Sequence, residues 1–129
     1  MVEQYPQQVK VVFKNFPLRN HSLALPAARA ALAAYNQGKF WEYHDKLFAA
    51  GKGLNEALFS QIAEQLQLDM ERFEQDRNGR AGYEQVAADY RLGQSVEVRG
   101  TPALFVNGKL LDERSPEAFK AMIDRELQR

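Results

Sequence analysis

Three kinds of hydrophobic pattern follow one another along the chain. The first, Val9-Lys10-Val11-Val12-Phe13-Lys14-Asn15-Phe16, is rich in β-branched and aromatic residues and stops at Pro17. Its length and composition predict a mostly buried strand. From Ser22 onward the spacing becomes helical. Ser22 is the expected N-cap of a helix that carries Pro26 in its first turn and continues through AARAALAAY, with Gly38 placed to close it. Lys39 to Ala50 repeats the period with Phe40, Tyr43, His44, Leu47 and Phe48, and ends at Gly51. Asn55 is the expected cap of a third helix bearing Leu58, Phe59, Ile62, Ala63 and Leu66, and Asp69 that of a short fourth with Met70 and Phe73. A fifth, from about Ala81 to Ser95, sets Tyr83, Val86, Ala87 and Tyr90 on one face.

The third pattern is short and alternating. Ala103 to Val106 reads as a strand, Asn107-Gly108 as a hairpin turn and Lys109 to Leu111 as the return strand. Ser115-Pro116 then opens a last helix with Phe119, Met122, Ile123 and Leu127 as its buried stripe. The predicted order is strand, about five helices, β-hairpin, helix: an α/β chain of single-domain length, with no repeat or linker over its 129 residues.

Composition narrows the chemistry. Lys plus Arg and Asp plus Glu are equal at 17 each, so there is no electrostatic footprint for nucleic acid or an anionic membrane surface. No apolar run approaches the roughly 18 residues that cross a bilayer. MVEQYPQQ lacks the basic-then-apolar layout of a signal peptide, so the chain as written is expected in the cytoplasm. It has no cysteine, which removes disulfides, thiolate nucleophiles and zinc–thiolate sites together.

The remaining candidates have plain readings. His21 and His44 are the two histidines. Glu42 and Asp45 lie near His44, but helix positions one or two apart do not share a face, so no chelating pair is expected. His44 reads as a helix residue with a satisfied imidazole, and His21 as a polar turn residue. Phe40, Trp41, Tyr43 and Phe48 read as core, and Lys10, Lys14, Arg19 and Arg29 as solvated surface. No metal or cofactor is expected.

The blocks VKVVFKNFPLRNHSLALPAARAALAA, KFWEYHDKLF and VRGTPALFVNG, in that order, resemble the DsbA-like branch of the thioredoxin superfamily from about Val9 to Leu127. The resemblance implies a thioredoxin-like fold with a helical block inserted at about residues 22–96. Members of that family begin with a strand ending in C-x-x-C, followed by a helix whose N-terminus lowers the first cysteine's pKa. Only eight residues precede the first strand here, and MVEQYP resembles the last turn of that helix. The catalytic segment is therefore expected to be missing, leaving a truncated fold and a redox-inactive chain with no catalytic residue.

The resemblance also implies that Gly100, Thr101 and Pro102 form a substrate-side loop. Its Thr101–Pro102 bond is expected to be cis, and its backbone to pair with an extended peptide. Glu97 stands where family members often have Gly; in a left-handed conformation it costs about 1–2 kcal/mol. The strand implied as missing is a central one, and the two strands it leaves exposed predict a homodimer or other homo-oligomer. Two alternatives stay open: a non-catalytic thioredoxin-fold binding or assembly module, and a relative of the kappa-class glutathione transferases and isomerases. The latter carry a serine in place of the first cysteine, at a position also absent here. Intact members of the DsbA-like family are usually periplasmic or exported.

Overall fold

A computed structural model describes residues 4–18, 22–98, 101–111 and 115–128, and the chain in it divides into two compact units. One is Asn15–Val96. The other combines Met1–Lys14 with Glu97–Arg129.

The first unit is helical. Helix α1 (Ala24–Tyr35) buries Ala30, Ala31, Ala33 and Ala34 and touches each of the next four helices. These are α2 (Phe40–Ala50), α3 (Glu56–Gln65), α4 (Met70–Arg77) and α5 (Arg80–Ser95). Tyr43, Phe59 and Phe73 fill the space between them and are fully buried. The Tyr43 hydroxyl donates to the carbonyl of Phe59 at 2.9 Å, so the one polar atom of that ring is satisfied inside the core. Burial pushes its phenol far above the ordinary tyrosine range.

Local signals start and stop these helices. Asn55 Oδ1 accepts the Leu58 N–H at 2.9 Å and Asp69 Oδ1 the Arg72 N–H at 3.2 Å, each freeing a helix start of one orphan donor. Gly38, with φ +76°, turns the chain out of α1. Ser22 is not the cap of α1. That position belongs to Leu23, which makes no side-chain cap bond, and Ser22 lies one residue too early to serve the first turn.

A buried polar knot fixes the beginning of this unit. Asp89 Oδ2 accepts both the backbone N–H and the side-chain amide of Asn15 at 3.0 Å, while Gln85 donates to Oδ1 at 2.9 Å. Phe16 stacks on Tyr90 one residue along, with ring centroids 4.5 Å apart.

The second unit holds strands β1 (Phe105–Val106) and β2 (Lys109–Leu110) and helix α6 (Pro116–Leu127). The strands pair antiparallel in the register Phe105↔Leu110 and Val106↔Lys109. Asn107 and Gly108 join them with φ +48° and +82°, the signs of a type I′ turn. Leu111 N–H donates to Leu104 O at 2.8 Å and extends the pairing beyond the two strands. Ser115 Oγ accepts the Ala118 N–H at 3.1 Å, with Pro116 in the first turn of α6. Tyr5 donates to Asp124 at 2.6 Å, which ties the start of the chain to this helix.

This is a thioredoxin-like, mostly helical α/β arrangement, with six α-helices and a two-stranded sheet among the described residues. Three further expectations are corrected. Residues 9–18 join no ladder, and Val11, Val12 and Phe13 are 48%, 60% and 42% exposed, so the first strand is neither paired nor mostly buried. A strand buries its faces only beside a ladder partner, and the sheet among the described residues consists of β1 and β2 alone. Trp41 and Phe48 are 45% and 72% exposed; of the four aromatics read as core, Phe40 and Tyr43 are buried. They differ because α2 packs against α1 and α3 with the flank that carries Phe40 and Tyr43, three residues apart, and leaves outside the flank that carries Trp41 and Phe48, seven apart. Leu127 is exposed at the last turn of α6, whose buried residue is Ile123.

Two outcomes are expected in urea titrations. Phe73→Ala should destabilise by about 3–5 kcal/mol because a fully buried ring leaves a cavity, whereas Phe48→Ala should stay within about 0.5 kcal/mol. Glu74 supplies a pH signature. Burial pulls its pKa up, but hydrogen bonds from Ser60 and Arg77 and the Arg77 charge bring it below the ordinary value of 4.5. The folded pKa is depressed, so the stabilisation is full above the unfolded value and is lost as pH falls through the folded one. Glu74→Gln should flatten the acid limb of the stability profile below about pH 4.5.

Candidate functional site

Helix α5 ends at Ser95, and Glu97, two residues on, holds a left-handed φ of +64°. A non-glycine residue adopts that conformation at a cost. Thr101–Pro102 is a cis peptide bond. Thr101 and Pro102 are exposed, while Ala103 and Leu104 sink halfway toward the interior before β1 begins. Gly100, the other residue implied for this loop, lies outside the described residues.

The hairpin that follows is anchored. Lys109 Nζ and Asn107 Nδ2 both donate to the Glu126 carboxylate of α6, at 3.1 and 3.4 Å. The loop at Thr101–Pro102 thus runs into a hairpin held by its own turn and by α6. Its side chains offer one hydroxyl and no titratable group. What it presents is main chain: carbonyls that accept, and N–H donors everywhere except at proline. Such a surface carries no acid, base or thiolate.

Of the other candidates, His44 belongs to the helical unit. His44 sits on α2 among aromatic rings, with centroids 4.5 Å from Phe48, 5.2 Å from Trp41 and 5.9 Å from Phe40. Its Nδ1 meets Asp45 Oδ1 at 3.2 Å. Adjacent helix residues therefore do touch here, and the result is one hydrogen bond. His21 lies outside the described residues. Among the described residues no group of His, Asp and Glu is arranged to hold a metal ion.

Sequence reading passed over two features. Asp89 is buried although its type is usually exposed, and the available signal was its spacing of three from Val86 on the inward face of α5. An open groove of about 510 Å³ in the helical unit runs between Leu18, Leu25, Tyr83 and Tyr90, with Arg91 and Gln94 at its polar rim. The groove brings no acid–base pair together.

Comparison with known proteins places this architecture. The family model described as Thioredoxin matches residues 1–125, so the chain belongs to the thioredoxin family, as a DsbA-like member. The probable disulfide bond formation protein D of Bacillus cereus is 32% identical over 131 residues, covering 95% of this chain and 60% of that protein. The Na(+)/H(+) antiporter NhaA 3 of Salinispora tropica is 41% identical over 102 residues, which is 78% of this chain and 16% of the antiporter. The chain therefore spans about a sixth of the antiporter and three fifths of the Bacillus protein. A thioredoxin-like oxidoreductase from Silicibacter pomeroyi superposes with a TM-score of 0.75 at 28% identity, over 92% of this chain and 68% of that one. The oxidoreductase DsbA of Xylella fastidiosa shares the fold, with a TM-score of 0.74 at 23% identity, over 98% of this chain and 75% of that one.

Glu97 provides a direct check on the approach to the loop. Glu97→Gly removes the Cβ penalty of a positive φ and should raise stability by about 1 kcal/mol in denaturant titrations, where exposed glycine substitutions in ordinary backbone lower it.

Proposed function

We propose that this chain is a DsbA-like thioredoxin-fold domain that binds an extended peptide along Gly100, Thr101 and Pro102 and carries out no dithiol–disulfide exchange of its own. One observation carries the reading: a sequence matched by the thioredoxin family model over residues 1–125 contains no cysteine. Exchange begins with a thiolate attacking a disulfide sulfur and ends with a second thiol resolving the mixed disulfide. This chain supplies neither sulfur. Its share of such a reaction is to hold the partner, by main-chain hydrogen bonds of the β-augmentation kind. The names of the Bacillus cereus and Silicibacter pomeroyi relatives, a disulfide bond formation protein and an oxidoreductase, favour a cysteine-bearing polypeptide as what is held.

A second reading is a binding or assembly module with no part in redox chemistry. The antiporter similarity favours it, since a segment like this one makes up 16% of a protein named for a different activity.

Two measurements separate these. Purified chain should reduce insulin disulfides at the rate of buffer plus dithiothreitol alone, and a rate above that background overturns the absence of exchange. In backbone NMR, an extended cysteine-containing peptide should shift Thr101 and Ala103 selectively. Shifts absent from the loop defeat the peptide-binding reading and leave the assembly module.

A further inference from the structure

Arg29, expected on the solvated surface, is half-buried on α1. Its Nη2 donates to the Gly79 carbonyl at 3.1 Å, and its guanidinium carbon lies 5.6 Å from the centre of the Tyr83 ring. Nε is out of water's reach and has no hydrogen-bond partner. Nη1 has no partner among the described residues and, unlike Nε, is open to solvent. Among the described residues this guanidinium forms no ion pair.

Arg29 differs in this from the other described arginines. Arg77 is also half-buried, and two carboxylates answer it: Glu74 at 2.8 Å from Nε and Glu56 at 3.5 Å from Nη1. Arg72 and Arg80 pair with Asp76 and Glu84. Arg91 and Arg125 form no ion pair but are exposed, so water screens their charge. A cation that has lost part of its hydration and gained no counter-charge is destabilising. The Tyr83 ring and the Gly79 carbonyl offset part of that cost without neutralising the charge.

An open cavity of about 200 Å³ adjoins it, within the helical unit, lined by Leu25, Pro26, Arg29, Glu56, Arg77 and Asn78. Two guanidinium groups thus share the wall with a single carboxylate. Leu25 and Pro26 belong to the first turn of α1, a partly positive helix end that has no acidic residue and no side-chain cap. The lining therefore carries an excess of positive charge, on side chains whose planar forks match the oxygens of a phosphate or carboxylate.

We propose that this cavity binds a small oxyanion, a phosphate or a carboxylate, with Arg29 as its principal contact through Nη1. Glu56 is its internal competitor. That side chain is 64% exposed and makes the looser of the two pairs with Arg77, so an entering anion displaces it toward solvent. Glu74 keeps Arg77 in place meanwhile. The site lies wholly in the helical unit and does not rest on peptide binding at the Thr101–Pro102 loop.

The buried Nε–H of Arg29 supplies the probe. Shielded from water, its proton exchanges slowly and gives an NMR signal of its own in isotope-labelled protein. Titration with inorganic phosphate or with acetate, at ionic strength held constant by chloride, should shift this signal and the Leu25 and Asn78 backbone amides along a saturating curve. A response to phosphate alone identifies a phosphoryl group as the ligand, and a response to acetate a carboxylate. Glu56→Gln should tighten binding by about threefold, because a like charge leaves the cavity. Arg29→Lys should weaken it by about tenfold or more, since the charge stays but the fork is lost. Circular dichroism confirms that each variant is folded, and Glu56→Gln decides by itself if Arg29→Lys is not. No saturating shift with either anion, the same shifts with chloride alone, or affinities unchanged in the folded variants each overturns the proposal.

Discussion

The helical unit depends on how near its helices come to α1, and four alanines set that distance. Ala30, Ala31, Ala33 and Ala34 are buried on a helix that touches α2, α3, α4 and α5. A methyl side chain takes little room, so the rings of Tyr43, Phe59 and Phe73 reach into the space between the surrounding helices and close-pack there. A larger residue on α1 would have to displace one of those rings, and overpacking of that kind costs about 1–3 kcal/mol. The bond from Tyr43 to the Phe59 carbonyl is made possible by this packing. So is the placing of Arg29, whose guanidinium donates to Gly79 O at 3.1 Å and lies over the Tyr83 ring.

The second unit is held by different means. Its sheet is two residues wide on each strand, too short to supply much stability by ladder bonds. Polar ties make up the difference: Tyr5 and Lys120 converge on Asp124, while Asn107 and Lys109 converge on Glu126. Both acceptors lie on α6, so that helix gathers the N-terminal segment and the hairpin. The hydrogen bonds to Asp124 hold its carboxyl below the ordinary range, with Lys120 contributing most and Tyr5 next. Against this scaffold the Thr101–Pro102 loop offers main-chain groups and no reactive side chain. Family membership and chemical capacity are separate properties of this chain.

The elements most legible in the sequence were those written in single residues with one physical role. Asn55 and Asp69 capped the helices they were expected to cap, Asn107-Gly108 made the turn, and Ser115-Pro116 started α6. Glu97 took the positive φ that its place before the loop implied. Less legible was anything set by neighbours far away in sequence. Val9–Phe16 has the composition of a strand, yet a ladder needs a partner that composition does not show. Trp41 and Phe48 share one flank of α2 and Phe40 and Tyr43 another, and the placing of α2 against α1 and α3 decides which flank is covered. Asp89 is buried because Asn15, 74 positions away in sequence, turns two donors toward it. Of the candidate loop, Thr101 and Pro102 were identifiable from a short motif, while what they would hold is written in no residue of this chain.

The position of the single tryptophan has an optical consequence. Trp41 lies on α2, edge-on to Phe40 and beside the His44 ring, within the helical unit. Indole emission therefore reports the loosening of that unit alone. The unit containing the hairpin and α6 has tyrosine at position 5 and no indole, so it is silent at wavelengths that excite only tryptophan. Fluorescence and far-ultraviolet circular dichroism followed on one sample thus view different portions of the polypeptide. Coincident transitions would mean that the two units melt together, and separated ones that each has its own cooperativity.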